Sequence, residues 1–253
     1  MQARKYNELD VYIFENRTLM GEKAAVDAAE CIKKVVAEKG EANCIFAAAP
    51  SQNDFLKALV ADKTIPWEKV NAYHMDDYVG LEQGCEQSFS GFLKSHIFDL
   101  VPLKSVNLIN GQNDQESESE RYSKLLKEHK TDIVFMGIGE NGHIAFNDPG
   151  VADFNDPKYV KVVKLDDKCR MQQVHDKCFP TFDDVPEKAF TVTITGLMAA
   201  DYHFCIVPTK LKAPATKRML EGPVSEECPA TILRNRKNAK MYIDEDCAYL
   251  LNT

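Results

Sequence analysis

Short apolar segments alternate with longer amphipathic segments along the first half of the chain. The apolar segments are compact and bounded by polar or turn-forming residues, which predicts buried strands at residues 11–14, 44–48, 70–75, 106–109 and 133–136. The segments between them carry apolar residues at helical spacing, which predicts helices at residues 21–38, 51–61, 88–100 and 117–129. Ser51 and Ser117 each precede such a stretch, and we expect them to cap their helices. This alternation predicts right-handed crossovers and a parallel sheet.

The second half is less regular. Its apolar segments predict strands at residues 158–165, 190–194, 203–207 and 239–243, and a helix at residues 212–220. A length of 253 residues suits one α/β domain spanning residues 1–253. We therefore expect a single-domain, three-layer α/β/α fold of Rossmann-like type, with a mostly parallel sheet and helices on both faces.

Composition and charge narrow the function classes. The net charge is −8 and the acidic residues are spread out, which argues against binding to nucleic acid or to an anionic membrane. No long apolar run and no signal peptide are present, so a cytosolic location is expected. The 8 cysteines include no close pair, which predicts reduced thiols that form neither a disulfide framework nor a zinc site. With the 6 histidines also scattered, no metal and no cofactor are expected.

The segment from Phe135 to Pro149 carries the most chemical information. It begins as an apolar strand, passes through three glycines that include Gly137, and sets His143 and Asp148 five residues apart without helical periodicity. Loops at the carboxyl ends of strands converge on the ligand crevice of open α/β sheets. Histidine is the residue type whose unperturbed pKa lies near neutrality, and Asp148 is near enough in sequence to orient the imidazole of His143. This pattern predicts a catalytic loop.

A second segment, residues 70–81, reads as another apolar strand that ends on Asp76 and Asp77, followed by Tyr78 and Gly80. Adjacent acids repel, so one of them is expected to work as a base only in a site that controls its surroundings. Side chains alternate along a strand, so only one of the two faces the crevice.

Together the two segments resemble the glucosamine-6-phosphate deaminase/isomerase family. Its marks stand here as Met-Asp-Asp-Tyr-Val-Gly at residues 75–80 and Asn-Gly-His-Ile-Ala-Phe-Asn-Asp-Pro at residues 141–149, in the family's order. The chain departs from the family pattern at Asn141, often an aspartate, and at Asp148, usually a glutamate. The resemblance implies a cofactor-independent enzyme whose catalytic residues are Asp76, His143, Asp148 and Asn141.

The resemblance also implies an anionic substrate held by phosphate-binding residues. The turn after the strand at residues 44–48 corresponds to the family's phosphate turn, with Ser51 and Gln52 as binding residues and Gly137 beside them. Lys212 stands where the family keeps a phosphate-binding lysine. A further cation is expected from residues 167–179, either Arg170 or Lys177, and Arg170 is preferred for its bidentate guanidinium.

The implied reaction converts glucosamine 6-phosphate, or galactosamine 6-phosphate, and water to the ketose 6-phosphate and ammonia. In it Asp76 abstracts the proton from the carbon that bears nitrogen, and His143 moves the proton that opens the sugar ring. Two alternatives stay open: a 6-phosphogluconolactonase-type hydrolase, and a sugar-phosphate-binding protein without turnover. The expected partner is a small-molecule sugar phosphate, with a homo-oligomer left open.

Overall fold

The computed structural model describes residues 1–175 and 177–252, and within them the chain has an α/β fold. The strands of this part of the chain are β1 (Gln2–Tyr6), β2 (Leu9–Phe14), β3 (Ala42–Phe46), β4 (Val70–His74), β5 (Asp76–Tyr78), β6 (Ser105–Asn107), β7 (Ile133–Met136), β8 (Val160–Lys164), β9 (Lys188–Val192), β10 (Tyr202–Val207) and β11 (Ala239–Asp244). The helices are α1 (Arg17–Lys39), α2 (Asn53–Ala61), α3 (Phe89–Leu93), α4 (Gln115–Glu128), α5 (Asp167–His175), α6 (Ile194–Met198), α7 (Ala213–Glu221) and α8 (Glu245–Ala248).

Eight of these strands form a large sheet in the order β1-β2-β11-β10-β7-β3-β4-β6. All its neighbouring pairs are parallel except β1 and β2, which pair antiparallel at one edge. The mostly parallel sheet expected from the alternating pattern is therefore confirmed. The expectation of a single domain over residues 1–253 stays a prediction.

Side chains from both faces of the large sheet enter apolar cores. In β3, Cys44 and Phe46 pack into the cluster that contains the apolar face of α1, whereas Ile45 packs into the cluster that contains Tyr122 of α4. Because successive side chains of a strand point to opposite faces, a strand buried on both sides reads as a continuous apolar run. This is why the β3 segment could be identified from sequence.

A second, smaller sheet of order β5-β9-β8 was not predicted. Its pairs are antiparallel, and the chain enters it directly after β4, with only Met75 between the two strands. The segment at residues 70–78 therefore spans two sheets. An apolar run does not reveal such a change of partner, because both strands are buried.

Several predicted helix boundaries differ from the structure. Helix α2 begins after a 3₁₀ turn at Pro50–Gln52, and no side-chain cap is formed there, so the prediction that Ser51 caps this helix is wrong. The cap of α4 is Asp114, whose carboxylate accepts from the N–H of Ser117, so Ser117 lies inside the helix instead of capping it. Within the described residues, every helix is too short or too polar to cross a lipid bilayer.

Candidate active site

A cavity of about 860 Å³ opens at the carboxyl ends of β3, β4, β7 and β10. Open α/β sheets bind their ligands in this position, because the loops that leave the strands there surround a common space. The cavity brings together residues from the two sequence motifs and from five further segments, one of which includes the start of α3. Its wall includes Arg17, Ala47–Ser51, Met75, Asp76, Gly137–Gly139, His143, Phe146, Lys177–Pro180, Thr209 and Lys212.

The two adjacent acids have separate environments. Asp76 lines the cavity, whereas the carboxylate of Asp77 accepts from the N–H groups of Phe89 and Ser90 at 3.1 Å each, at the start of α3. Burial, and then the nearby charge of Asp77, raise the pKa of Asp76 well above its ordinary value. A carboxylate with a raised pKa is a stronger base once it is ionised. Asp76 can therefore accept a proton from a molecule in the cavity, while Asp77 anchors the adjacent helix.

His143 lies in the loop after β7, with its ring packed against the backbone of Gly139. A Cβ atom added to Gly139 would lie 2.1–2.4 Å from three atoms of the imidazole, so only glycine leaves space for this ring position. The N–H of Gly139 also donates to the carbonyl of His143 at 2.9 Å, which closes the loop. The loop thus holds the imidazole at the cavity wall.

Asp148 reaches the imidazole despite its short side chain. Its Oδ1 lies 2.9 Å from Nδ1 of His143 and accepts from Nδ2 of Asn141 at 2.7 Å. Asn141 in turn accepts from the backbone N–H of His143 through Oδ1 at 3.0 Å. The amide of Asn141 therefore bonds to both members of the His143–Asp148 pair, which we call the dyad. Burial would raise the pKa of Asp148, but its hydrogen bonds to His143 and Asn141 outweigh burial and leave that pKa below its ordinary value.

Cys169 of α5 joins this group, which corrects the expectation that the cysteines and histidines would not cluster. Its thiol donates a hydrogen bond to the carboxylate of Asp148. A ring nitrogen of His143, a carboxylate oxygen of Asp148 and the sulfur of Cys169 all lie within 4.8 Å of one another. Burial, and then the charge of Asp148, raise the pKa of the Cys169 thiol, so the sulfur keeps its proton. Sequence spacing gave no signal of this cluster, because α5 contributes Cys169 from a separate element.

The predicted phosphate turn lies beside the catalytic loop. Nε2 of Gln52 donates to Oγ of Ser51 at 3.0 Å and to the carbonyl of Ile206 at 3.1 Å, which ties the turn after β3 to β10. A Cβ on Gly137 would lie 3.1 Å from Nε2 of Gln52 and 3.4 Å from Oγ of Ser51. Ser51 and Gly137 both line the cavity, whereas Gln52 is buried behind them.

Lys212 reaches the cavity from the segment between β10 and α7. It is buried at the cavity wall, in the 3₁₀ turn Lys210–Lys212 that leads into α7. Thr209, which lines the same wall, has a left-handed backbone angle φ of 82°, and its N–H donates to both carboxylate oxygens of Asp244 at 3.0 Å. A non-glycine residue held in this region costs free energy, and such strain occurs mostly at ligand sites. Helix starts that face a cavity favour anions.

The two candidate cations, Arg170 and Lys177, have different surroundings. The guanidinium of Arg170 donates to the carbonyls of Val185, at 2.8 and 3.2 Å, and Phe182, at 3.0 Å, and lies over the Phe182 ring. It is not among the residues of the cavity wall, whereas Lys177 is. Arg170 therefore anchors α5 to the segment before β9, whereas Lys177 is a cation of this region that lines the cavity.

Arg17 also lines the cavity and was not among the predicted site residues. Its Nε donates to Asp54 of α2 at 2.5 Å and its Nη2 to the carbonyl of Pro50 at 3.1 Å. The close approach of α1 and α2 makes this possible, since a Cβ on Gly21 would lie 2.8 Å from the backbone of Asp54. No local motif marks Arg17, because its position depends on how two helices pack.

His74, which precedes Met75 in the second motif segment, lies outside the cavity wall. It is fully buried, its Nε2 accepts from the N–H of Ile109 at 2.8 Å, and burial lowers its pKa, so the ring stays neutral. Its backbone N–H and carbonyl both bond to the hydroxyl of Tyr122 at 3.0 Å. His74 therefore belongs to the packing between β4 and α4.

Comparisons with known proteins identify the family of this chain. The family model for glucosamine-6-phosphate isomerases/6-phosphogluconolactonase matches residues 15–243. A glucosamine-6-phosphate deaminase from Ligilactobacillus salivarius is 39% identical over 70% of this chain and 74% of its own length, and one from Streptococcus equi subsp. equi is 33% identical over 83% and 88%.

Solved structures share the fold. A monomeric glucosamine-6-phosphate deaminase superposes with a TM-score of 0.86 at 28% identity, covering 95% of this chain and 99% of its own. The 6-phosphogluconolactonase from Trypanosoma brucei reaches 0.77 at 14% identity, covering 99% and 100%, and its likeness concerns the fold alone. The chain therefore belongs to the glucosamine-6-phosphate isomerase/6-phosphogluconolactonase family.

Proposed function

We propose that this protein is a glucosamine-6-phosphate deaminase, which converts glucosamine 6-phosphate and water to fructose 6-phosphate and ammonia. The observation that carries the proposal is that a buried carboxylate, Asp76, and the His143–Asp148 dyad line or adjoin the same cavity as a group of cationic and hydroxyl side chains. One end of the cavity is thus suited to a phosphate, and the other to proton transfer.

The phosphate end would consist of side chains from four segments of the chain. Ser51 offers a hydroxyl, and Arg17, Lys177 and Lys212 offer positive charge. The protein as a whole has a net charge of −8, so an anionic substrate depends on such a local group of donors. This part of the site would fix the sugar so that its reacting carbons lie at Asp76.

Proton transfer would proceed in three stages. His143, oriented by Asp148, moves the proton from the C1 hydroxyl to the ring oxygen, which opens the ring to the aldehyde. Asp76 then removes the proton from C2, the carbon that bears nitrogen, and the resulting enolamine is protonated at C1. The imine at C2 is finally hydrolysed, which adds one water and releases ammonia. A positioned acid or base contributes about 10²–10⁴ in rate to each such transfer.

The raised pKa of Asp76 supports this assignment. Deamination requires a base that removes the carbon-bound proton between the aldehyde and the amino group. A carboxylate made more basic by burial and by Asp77 suits this task. The deaminase assignment is also supported by relatives of 33–39% identity, whereas the lactonase from Trypanosoma brucei shares 14%.

Assay of the purified protein with glucosamine 6-phosphate, measuring ammonia and fructose 6-phosphate separately, tests the proposal. We expect the two products in equal amounts. Galactosamine 6-phosphate, N-acetylglucosamine 6-phosphate and 6-phosphogluconolactone serve as comparison substrates. Lactone hydrolysis without ammonia release would favour the hydrolase, and binding of sugar phosphate without any product would favour the non-catalytic alternative. The cytosolic location and a homo-oligomeric state stay predictions.

A further inference from the structure

We propose that His143, Asp148 and Cys169 form a binding site for one zinc ion, and that zinc bound there inactivates the catalytic dyad. The three residues offer one imidazole nitrogen, one carboxylate oxygen and one thiol sulfur within 4.8 Å of one another. Their exposed fractions are 8%, 2% and 1%, so the ligand atoms lie away from bulk water. This donor set is one that zinc takes in proteins.

To accept the metal, the three ligand atoms must shift relative to one another by no more than roughly 1.1–1.5 Å. With bonds of about 2.0–2.3 Å and tetrahedral angles, zinc ligands lie roughly 3.3–3.7 Å from one another. Nδ1 of His143 and Oδ1 of Asp148 are 2.9 Å apart, so they would separate by about half an ångström. Since the wall of the cavity includes His143, a fourth ligand can come from a cavity water, as in zinc sites with an open position.

Hydrogen bonds from neighbouring residues fix the positions of Cys169 and Asp148. The N–H of Cys169 donates to the carboxylate of Asp166 at 2.6 Å, at the start of α5, and the amide of Asn141 donates to Asp148 at 2.7 Å. Arg170 fixes the same turn of α5 through the carbonyls of Val185 and Phe182. Ligands supported by such outer contacts lose little freedom when a metal binds.

Charge and protons balance at this site. Zinc displaces the thiol proton to solvent, and the imidazole binds through Nδ1 while its proton resides on Nε2. The divalent ion is then neutralised by the thiolate of Cys169 and the carboxylate of Asp148, so the buried group carries no net charge. A metal-bound thiol is deprotonated at neutral pH, because the metal outweighs the cost of burial.

Inactivation follows from the use of the same atoms. Nδ1 of His143 and the carboxylate of Asp148 cannot form their contact while both bind zinc. The imidazole would then lose the partner that stabilises its protonated form. Zinc therefore acts as an inhibitor, and activity without added metal stays expected.

Metal binding can be measured without reference to activity. The full-length protein is freed of metal with a chelator, and zinc is titrated in competition with a chromophoric chelator. We expect one tight zinc per chain, no comparable binding of Mg²⁺, and an absorption band typical of sulfur-to-metal charge transfer when Co²⁺ is used. Cys169→Ser should lose that band and bind zinc at least about tenfold more weakly. Cys178→Ser, which changes a thiol in the cavity wall, should retain both.

Inhibition is then tested on whichever activity the protein shows. Zinc should lower turnover reversibly, and chelator should restore it. Unchanged zinc affinity and an unchanged cobalt band in Cys169→Ser would overturn the proposal, as would their loss in Cys178→Ser. If Cys169→Ser does not fold, Asp148→Asn serves as the second variant and should also weaken zinc binding. The binding results hold even if the deaminase assignment fails.

Discussion

Asp76 and Asp77 are neighbours in the chain, yet the first lines the active-site cavity and the second accepts hydrogen bonds from the first N–H groups of α3. This division results from the alternation of side chains in β5. It gives the cavity one carboxylate whose pKa is raised by burial and by a fixed negative neighbour. Only Asp76 can contact the substrate, and Asp77 serves it by raising its pKa and by holding the start of α3.

Replacing Asp76 with asparagine should stabilise the fold at neutral pH while abolishing turnover. The pKa of Asp76 is higher in the folded state than in the unfolded chain, so its charge costs stability once the pH exceeds the unfolded value. The amide of the variant carries no charge and removes this cost. A gain of about 1 kcal/mol would raise the melting temperature by roughly 2–4 °C. Melting curves should show the two proteins converging as the pH falls toward about 4, and a lower melting temperature for Asp76→Asn at neutral pH would contradict the assignment.

Alanine substitutions at two glycines of the catalytic loop should change different kinetic constants. Gly139→Ala places a Cβ 2.1 Å from the His143 ring, so the imidazole must move and kcat should fall at least about 100-fold. Gly137→Ala brings milder contacts, at 3.1 and 3.4 Å to Gln52 and Ser51, and should mainly raise KM. Steady-state kinetics of both variants separate these effects. An equal loss of kcat in both would mean that the loop acts only as a structural unit.

Substitution of Lys177 should affect substrate binding, whereas substitution of Arg170 should affect the stability of the fold. Lys177→Ala removes a cation from the cavity wall, so KM for the phosphorylated sugar should rise about 10- to 100-fold with little change in melting temperature. Arg170→Ala leaves the carbonyls of Val185 and Phe182 without their donor and should destabilise the fold by about 1–3 kcal/mol. Kinetics and melting of both variants decide the point. A larger KM change in Arg170→Ala would return the phosphate role to that residue.

Asn141→Asp should impair this enzyme although aspartate is the residue often found in the family pattern. The amide of Asn141 donates to Asp148 at 2.7 Å, so a carboxylate in its place would face another carboxylate. Such a pair shares a proton, which raises a pKa next to His143 and weakens the dyad. We expect kcat to fall about tenfold at neutral pH and to recover partly at lower pH, where the pair holds that proton. A pH–rate profile identical to that of the wild type would show that the amide is not needed as a donor.

The sequence revealed the parallel sheet and the two motifs because each depends on local pattern. The strand before His143 is a run of buried residues, Ile133–Met136, and the chemistry follows it directly. The positions of Arg17 and Cys169 at the site depend on packing between distant elements, which local pattern does not encode. The same holds for the placement of Lys177, and not Arg170, at the cavity wall. The switch of the chain at Met75 from one sheet to another was missed for a related reason, since β4 and β5 are both buried.

The central claim is that Asp76 removes the proton from C2, and a substrate carrying deuterium at C2 tests it most directly. Wild-type protein and Asp77→Asn should transfer this deuterium to solvent as ammonia is released, and wild-type turnover should show a primary isotope effect. Asp76→Asn should release neither deuterium nor ammonia while still binding the sugar phosphate. Loss of deuterium from the substrate in Asp76→Asn, followed by mass spectrometry, would contradict the account.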